Sequence, residues 1–339
     1  MNTHGQTVAF GDAAPIEHAA PKGARSTAET NHVVVAAHGG GVSPTDRIVA
    51  GYNVALCGIW CIAILRSAHP SPWMWVMAAV HALTAPMPWI AHGARGRVAA
   101  RIASFVAMAG DIYPLLAVAA AWTELGHLIP LIHPRSFDDL IFLLDGLVFG
   151  THWHLRWIAA MPWPWLAEVM YCAYFSLYPL LILIPLALAA RGLRAALRDY
   201  VFSLTLTYLV CSLIYLAIPV VGPAQFVPTP ASVRHGFFFA LSAGVQHIGD
   251  SLGTSFPSTH VAASTTMAIV AWRRFTRPFA VLLTFDALVI ALATVYTQNH
   301  YALDVIAGFT VVAILHGFIA PALTARTNVL RVNLAAEPV

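Results

Sequence analysis

Charged side chains are scarce in this chain. Asp, Glu, Lys and Arg make up 10% of its 339 residues, and 59% are hydrophobic. A soluble domain carries about 25% charged residues. So few charges cannot cover a water-exposed surface, so lipid is the expected solvent for most of the chain. Cysteine is also rare. The four cysteines (Cys57, Cys61, Cys172, Cys211) all fall in apolar runs, where small core residues are expected rather than a disulfide or metal site. No His/Cys/Asp/Glu cluster has metal-ligand spacing, and no cofactor is expected. The net charge of +3 is too small and too scattered for a nucleic-acid surface. No internal repeat is visible, and no apolar stretch follows a basic start as in a cleaved signal peptide.

What the chain has in quantity is apolar length. A spanning helix needs roughly 20 apolar residues. Candidate spans are 48–66, 71–92, 100–121, 164–190, 200–221, 259–273, 278–297 and 303–325. The expected fold is therefore all-α, a polytopic membrane bundle of about eight helices, with seven as the alternative because 259–273 is short. Residues 1–45 are small, polar and aperiodic and read as a disordered tail. Residues 46–125 hold the N-terminal spans, 126–325 the remaining ones, and 326–339 a short tail.

Basic residues in short loops stay cytoplasmic. Arg95, Arg97, Arg101, Arg191, Arg194, Arg198, Arg273, Arg274, Arg277, Arg326 and Arg331 fall on one side of an eight-span arrangement. Lys22, Arg25 and Arg47 join them, while Arg66, Arg135, Arg156 and Arg234 lie opposite. Fourteen against four places both termini in the cytoplasm.

Two helix starts then lie together on the periplasmic or lumenal side. "SFPSTHVAAS" (255–264) and "YTQNHYALDVIAG" (296–308) each put a histidine where an apolar helix begins. Pro257 suits a first turn, and Ser255 and Ser258 can cap. Two helix N-termini, with their unpaired N–H groups, suit an anion. His300 and Asp304 at i, i+4 share a helix face. The carboxylate can hold one imidazole nitrogen as N–H and leave the other with its lone pair. His260 supplies a complementary acid, and Ser258 and Thr259 can donate to an oxyanion. This set suits metal-free phosphoryl transfer. Interfacial polar anchors are the bland alternative, and a phosphate-binding or transport protein is the alternative of another class.

Other segments are less pointed. Residues 135–157 read as one interfacial or re-entrant helix. Asp138, Asp139 and Asp145 on it face water or a polyol. His152 and His154, at i, i+2, do not share a helix face. Trp153, Trp157, Trp163 and Trp165 form an interfacial belt. Asp111 and Asp286 lie inside spans and pair or reach water.

"FPSTH" and "HYALDVIAG" resemble the second and third signature motifs of the type 2 phosphatidic acid phosphatase (PAP2) superfamily. "LDGLVFG" (144–150), "YCAYFSLYP" (171–179) and "VGPAQFVP" (221–228) add a likeness to the branch containing inositolphosphorylceramide synthases. The resemblance covers about 135–320, so 126–325 is the expected PAP2-like catalytic membrane domain. It implies a six-helix core and a phosphohistidine intermediate on a lipid phosphate. It makes His300 the nucleophile, Asp304 its orienting partner, His260 the general acid and Ser258 a phosphate ligand. Apart from the resemblance, Thr259, Asn299 and Arg234 are further candidates for binding substrate. Two departures stand out. The superfamily's arginine six residues before the nucleophile is Thr294 here. The Arg-Pro of "RRFTRPF" (273–279) lies on the wrong side for a first motif. Charge compensation would fall to Arg234, Arg135, Arg156 or His247. Transfer to an alcohol and hydrolysis both remain open.

Overall fold

The computed structural model describes residues 42–94, 100–249 and 251–324, with side chains left undescribed at 94, 100–105 and 247–249. The tails at 1–45 and 326–339 lie largely or wholly outside these residues. So do Arg95, Arg97, Arg326 and Arg331, and the His247 and Arg101 side chains. Helices account for the architecture: α1 (Pro44–Arg66), α2 (Pro72–Thr84), α3 (Met87–Ala94), α4 (Ala100–Ile132), α5 (Asp138–Phe149), α6 (Trp153–Ala160), α7 (Pro164–Ala190), α8 (Arg194–Ala217), α9 (Phe237–Gly249), α10 (Thr259–Arg274), α11 (Arg277–Tyr296) and α12 (Ala302–Ile314). Beyond Ile314 the last helix passes through a π turn, Leu315–Ile319. The only extended pairing among the described residues is a bridge between Val220 and Thr254.

Local chemistry sets the helix starts. Ser43 Oγ accepts from Asp46 N while Asp46 reaches back to the Ser43 backbone, a capping box. Proline occupies the first turn of α1, α2, α7 and α11, where its missing N–H costs nothing.

Among the described residues, seven helices are long and apolar enough to cross a bilayer: Pro44–Arg66, Pro72–Gly93, Val106–Ile132, Pro164–Ala190, Arg194–Ala217, Arg277–Tyr296 and Ala302–Thr324. The chain is a multi-pass membrane protein. Its outward side chains include Leu65, Leu83, Leu116, Ile182, Phe285 and Phe318, an apolar surface suited to lipid. The short 259–273 segment falls outside these seven, the alternative that its length left open, yet it runs the length of α8, from the Ser255–Val220 contact at one end to the Arg274–Asp199 pair at the other. α10 has 16 residues, about 24 Å at 1.5 Å per residue, short of the ~30 Å hydrocarbon core. Ser264, Thr265 and Thr266 dilute its apolar run, and nearly all its residues from Thr259 to Ala271 are buried. It is an interior helix, packed on α8, α11 and α12.

The single helix expected over 135–157 is two. Gly150, at φ +65°, ends α5 in the left-handed conformation, and α6 starts after His152. Trp163 and Trp165 stack at the exposed start of α7, whereas Trp157 packs against the cluster of Ile158, Tyr171 and Tyr296. Asp111 on α4 accepts from Arg194 and Arg198 Nε, both at 2.9 Å. Asp199 on α8 accepts from Arg274 Nε at 2.7 Å and lies 3.6 Å from Arg273. Asp286 on α11 accepts from Ser176 at 3.0 Å. α10 thus ends among arginines and begins at the histidine pair.

α12 reaches the start of α10 because position 308 is glycine. A Cβ there would lie 2.8 Å from the Ser258 carbonyl and 3.2 Å from Val261 Cβ. An interior helical glycine normally gains about 1 kcal/mol on becoming alanine. Overpacking against backbone reverses the sign, by about 1–3 kcal/mol. Gly308→Ala is therefore expected to lower the thermal midpoint in detergent, while Gly58→Ala, whose Cβ meets nothing within 4 Å, leaves it unchanged or raises it.

Candidate active site

Two loops meet where α10 and α12 begin. Residues 251–258 are pinned to the end of α8: Ser255 N donates to Val220 O at 2.8 Å, and Val220 N to Gly253 O at 3.2 Å. Ser258 N donates to Asp304 O at 3.0 Å, tying the two helix starts. The second loop closes α11. Asn299 N and His300 N both donate to Thr294 O at 3.1 Å, and Gln298 takes a left-handed conformation with φ 61°. Thr294 is wholly buried inside α11, so its backbone, not a cation, shapes this turn. Gly222, at φ +96°, is needed for close approach: a Cβ there would sit 2.9 Å from both Asn299 O and Ser255 Oγ.

His300 and Asp304 meet as the i, i+4 spacing predicts. His300 Nδ1 lies 3.3 Å from Asp304 Oδ2 and 2.9 Å from Ser255 O. Both are acceptors, so Nδ1 carries the proton and Nε2 keeps its lone pair. Asp304 is fully buried. Its Oδ2 also accepts from Ser255 Oγ at 2.8 Å and Tyr301 N at 2.9 Å. Ser255 is therefore more than the cap read from its position. It bridges the pair through its hydroxyl and fixes the tautomer through its carbonyl. Two more buried polar atoms, Asp304 Oδ1 and His260 Nε2, have no hydrogen-bond partner.

The His260 ring lies 6.1 Å from that of His300, centroid to centroid. Tyr174 stacks on it at 4.0 Å and Tyr178 meets it edge-on at 5.6 Å, so the imidazole is held in one orientation. Both histidines line a cavity of about 70 Å³, with Ser255, Thr259, Asn299, Tyr174, Gln225 and Gln246 among its other walls. A space of this size accommodates several water-sized groups. Asn299 accepts from Gln246 Nε2 at 2.6 Å and donates to Thr297 Oγ1 at 2.8 Å.

The structure does not bring every expected residue to this cavity. Ser258 Oγ is fully buried and accepts from Val261 N at 3.4 Å as the cap of α10. Arg234 lies exposed on a short 3₁₀ turn, donating to Thr229 O at 2.6 Å. Among the described lining residues there is no Arg or Lys. The tyrosine and glutamines that do line it carried no spacing signal of their own.

The expectation that both helix starts offer amides to an anion is corrected for α12. Tyr301 N is taken by Asp304, and Leu303 N donates to Asp145 Oδ1 at 2.9 Å. Asp138 and Asp145 do not face water. Asp138 accepts from Val221 N at 2.8 Å, Gly222 N at 2.9 Å and the Tyr301 hydroxyl at 3.1 Å. Only Asp139 is exposed. His152 and His154, one before α6 and one inside it, both turn to Asp145 Oδ2, at 3.5 and 3.9 Å. Burial pushes the Asp145 carboxyl above its ordinary value, and burial takes the His154 imidazole down to about 4. α5 thus clamps the start of the helix that carries Asp304.

Comparison with curated proteins and with solved structures gives no match. A family model described as the PAP2 superfamily matches residues 139–318, just over half of the chain. The matched span runs from the α5 carboxylates through His260 and His300 into the last helix. The chain belongs to the PAP2 superfamily, an assignment that supports an enzyme of phosphatase or phosphotransferase type.

Proposed function

We propose that the protein is a lipid phosphotransferase resembling the inositolphosphorylceramide synthases, with His300 as nucleophile, Asp304 as its orienting partner and His260 as general acid. One observation carries this reading: an imidazole with Nδ1 fixed between two acceptors shares a small buried cavity with a second imidazole whose Nε2 is unpaired. His300 Nε2 attacks phosphorus, the bond to the leaving alkoxide breaks, and His260 protonates that oxygen. An acceptor alcohol then attacks the phosphohistidine, gives its proton to His260 and frees His300. A phosphate group brings negative charge beside His260, which favours the protonated imidazole that the first step needs. The cavity is small and its histidines are buried. The cavity admits water as well as an alcohol hydroxyl, and the likeness to the synthase branch is what favours transfer over hydrolysis. The amides of Asn299, Gln225 and Gln246, with the N-terminus of α10, stand where a cation would otherwise bind phosphate.

Purified protein supplied with a phosphoinositide, with and without ceramide or diacylglycerol, is expected to move the phosphate-bearing head to the added alcohol on thin-layer analysis. EDTA is expected to leave the rate unchanged. Release of free phosphate or inositol phosphate regardless of acceptor would make the protein a hydrolase; no turnover of any lipid phosphate would leave a binding protein.

The same reading places the site on the side away from the cytoplasm, opposite the arginines at the end of α10 and the start of α8. In a cysteine-free background, Phe226→Cys is expected to react with an impermeant thiol reagent in intact cells and Thr276→Cys only after lysis. Both positions are exposed, so the reverse pattern inverts the topology.

A further inference from the structure

A second and larger cavity, about 680 Å³, lies among α1, α2, α3, α4 and α8. That is within the ~300–1,000 Å³ of small-molecule sites. Its walls are mainly apolar, including Val49, Met77, Val80, Val118, Ala121 and Leu209. It runs along α4 from Val106 to Glu124, about 27 Å at 1.5 Å per residue and nearly the depth of a bilayer core.

Its polar groups are few and organised. His81 Nε2 lies 2.8 Å from Glu124 Oε1, and His81 Nδ1 lies 2.8 Å from Asn53 Oδ1. The Trp60 indole N–H donates to Glu124. Asn53 Nδ2 donates to Val49 O at 2.8 Å, which turns the amide oxygen toward His81. Asp46, the second carboxylate, accepts from the Tyr113 hydroxyl at 2.6 Å. Tyr52 also lines the cavity and is 6% exposed, and its polar neighbour is Ser212, whose hydroxyl donates to Tyr208 O. Ionisable groups at this depth are costly and mark functional sites, and this set takes no part in the chemistry at His300. His81 offsets Glu124, Asp46 remains as a carboxylate, and no Arg or Lys is among the described lining residues, so the cavity offers a phosphate no net positive charge and suits a neutral head that donates hydrogen bonds.

The geometry points to a second lipid site, one that takes a single alkyl chain with a neutral hydroxyl head and rejects the phosphorylated form. This does not rest on the phosphotransfer reading. The probe is hexadecanol carrying a diazirine at mid-chain, with the full-length protein in phosphatidylcholine nanodiscs and adducts mapped by mass spectrometry. Saturable adducts are expected within 49–53 and 117–124. Unlabelled hexadecanol should displace them at about a tenth of the concentration that hexadecyl phosphate needs, the discrimination of one hydrogen bond to a charged group. Glu124→Gln should narrow that ratio, and Ala121→Phe should remove the adducts by filling the cavity. If either variant fails to fold, competition on the unaltered protein still decides. Non-saturable labelling over all lipid-facing helices, adducts only around His260 and His300, or equal displacement by the phosphate would overturn the proposal.

Discussion

His300→Ala is expected to abolish turnover and the covalent phosphoenzyme together. The nitrogen that bonds to phosphorus is then gone, and no neighbour can replace it. His260 is the other imidazole in the cavity, but it lacks the carboxylate and carbonyl that hold a lone pair toward substrate. Loss of a nucleophile in a well-studied hydrolase costs about 10⁶-fold in kcat, so no signal above background is anticipated. Asp304→Asn should behave differently. Ser255 O, at 2.9 Å, is closer to Nδ1 than Asp304 Oδ2, at 3.3 Å, so the tautomer survives the change. What is lost is the negative charge that stabilises the imidazolium side of the reaction. A loss of about 10²–10³-fold is expected, the scale of one preorganised electrostatic partner, and less than the ~10⁴ seen where an Asp alone holds the tautomer. Rapid-quench trapping with a ³²P-labelled lipid phosphate, beside steady-state assays, separates the outcomes. Phosphoenzyme in His300→Ala protein would remove the nucleophile assignment altogether.

Much of the site was legible because its key pairing is local. His300 and Asp304 are one helical turn apart, and the i, i+4 rule brings them together whatever the rest of the chain does. The likeness of "FPSTH" to a signature motif marked the second loop. What could not be read was every contact made across the fold. Asp138 and Asp145 meet Tyr301 and Leu303 over about 160 residues, and no periodicity records which distant amide a carboxylate caps. Their charge suggested water, yet burial with three and one amide or hydroxyl donors respectively is how such groups become tolerable inside a protein. The pair at His152 and His154 misled for a related reason: the i, i+2 argument holds within a helix, and His152 precedes the helix.

Hydropathy located seven spans well because lipid-facing length is a property of each segment alone. It was weakest on α10, where a helix wrapped by other helices needs neither full length nor an apolar surface all round. The arginine asymmetry had a structural counterpart not visible beforehand. Asp111 and Asp199 each hold two arginines, so these basic loops are partly neutralised ties between α4, α8 and α10.

His260→Ala is expected to split substrates by their leaving groups. With a lipid phosphate the departing alkoxide is a strong base and needs a proton as its bond to phosphorus breaks. General acid help is worth about 10²–10⁴-fold, so the variant should lose that much with the proposed class of substrate. With a nitrophenyl phosphate the departing oxygen is stable as an anion, and the first step should be nearly spared. Phosphoenzyme should then accumulate, because His260 also takes the proton from the attacking alcohol in the second step. That accumulation distinguishes the role from a structural one. Tyr174 and Tyr178 pack on the ring, and a merely collapsed site would lose both substrates equally and trap nothing. Tyr174→Leu supplies the comparison. It keeps His260 but frees the imidazole to turn, so it should weaken both substrates modestly without the leaving-group split. If His260→Ala and His300→Ala instead fall equally on both substrates, the division of labour between the two histidines is wrong, and the cavity is a phosphate-binding pocket whose chemistry lies elsewhere.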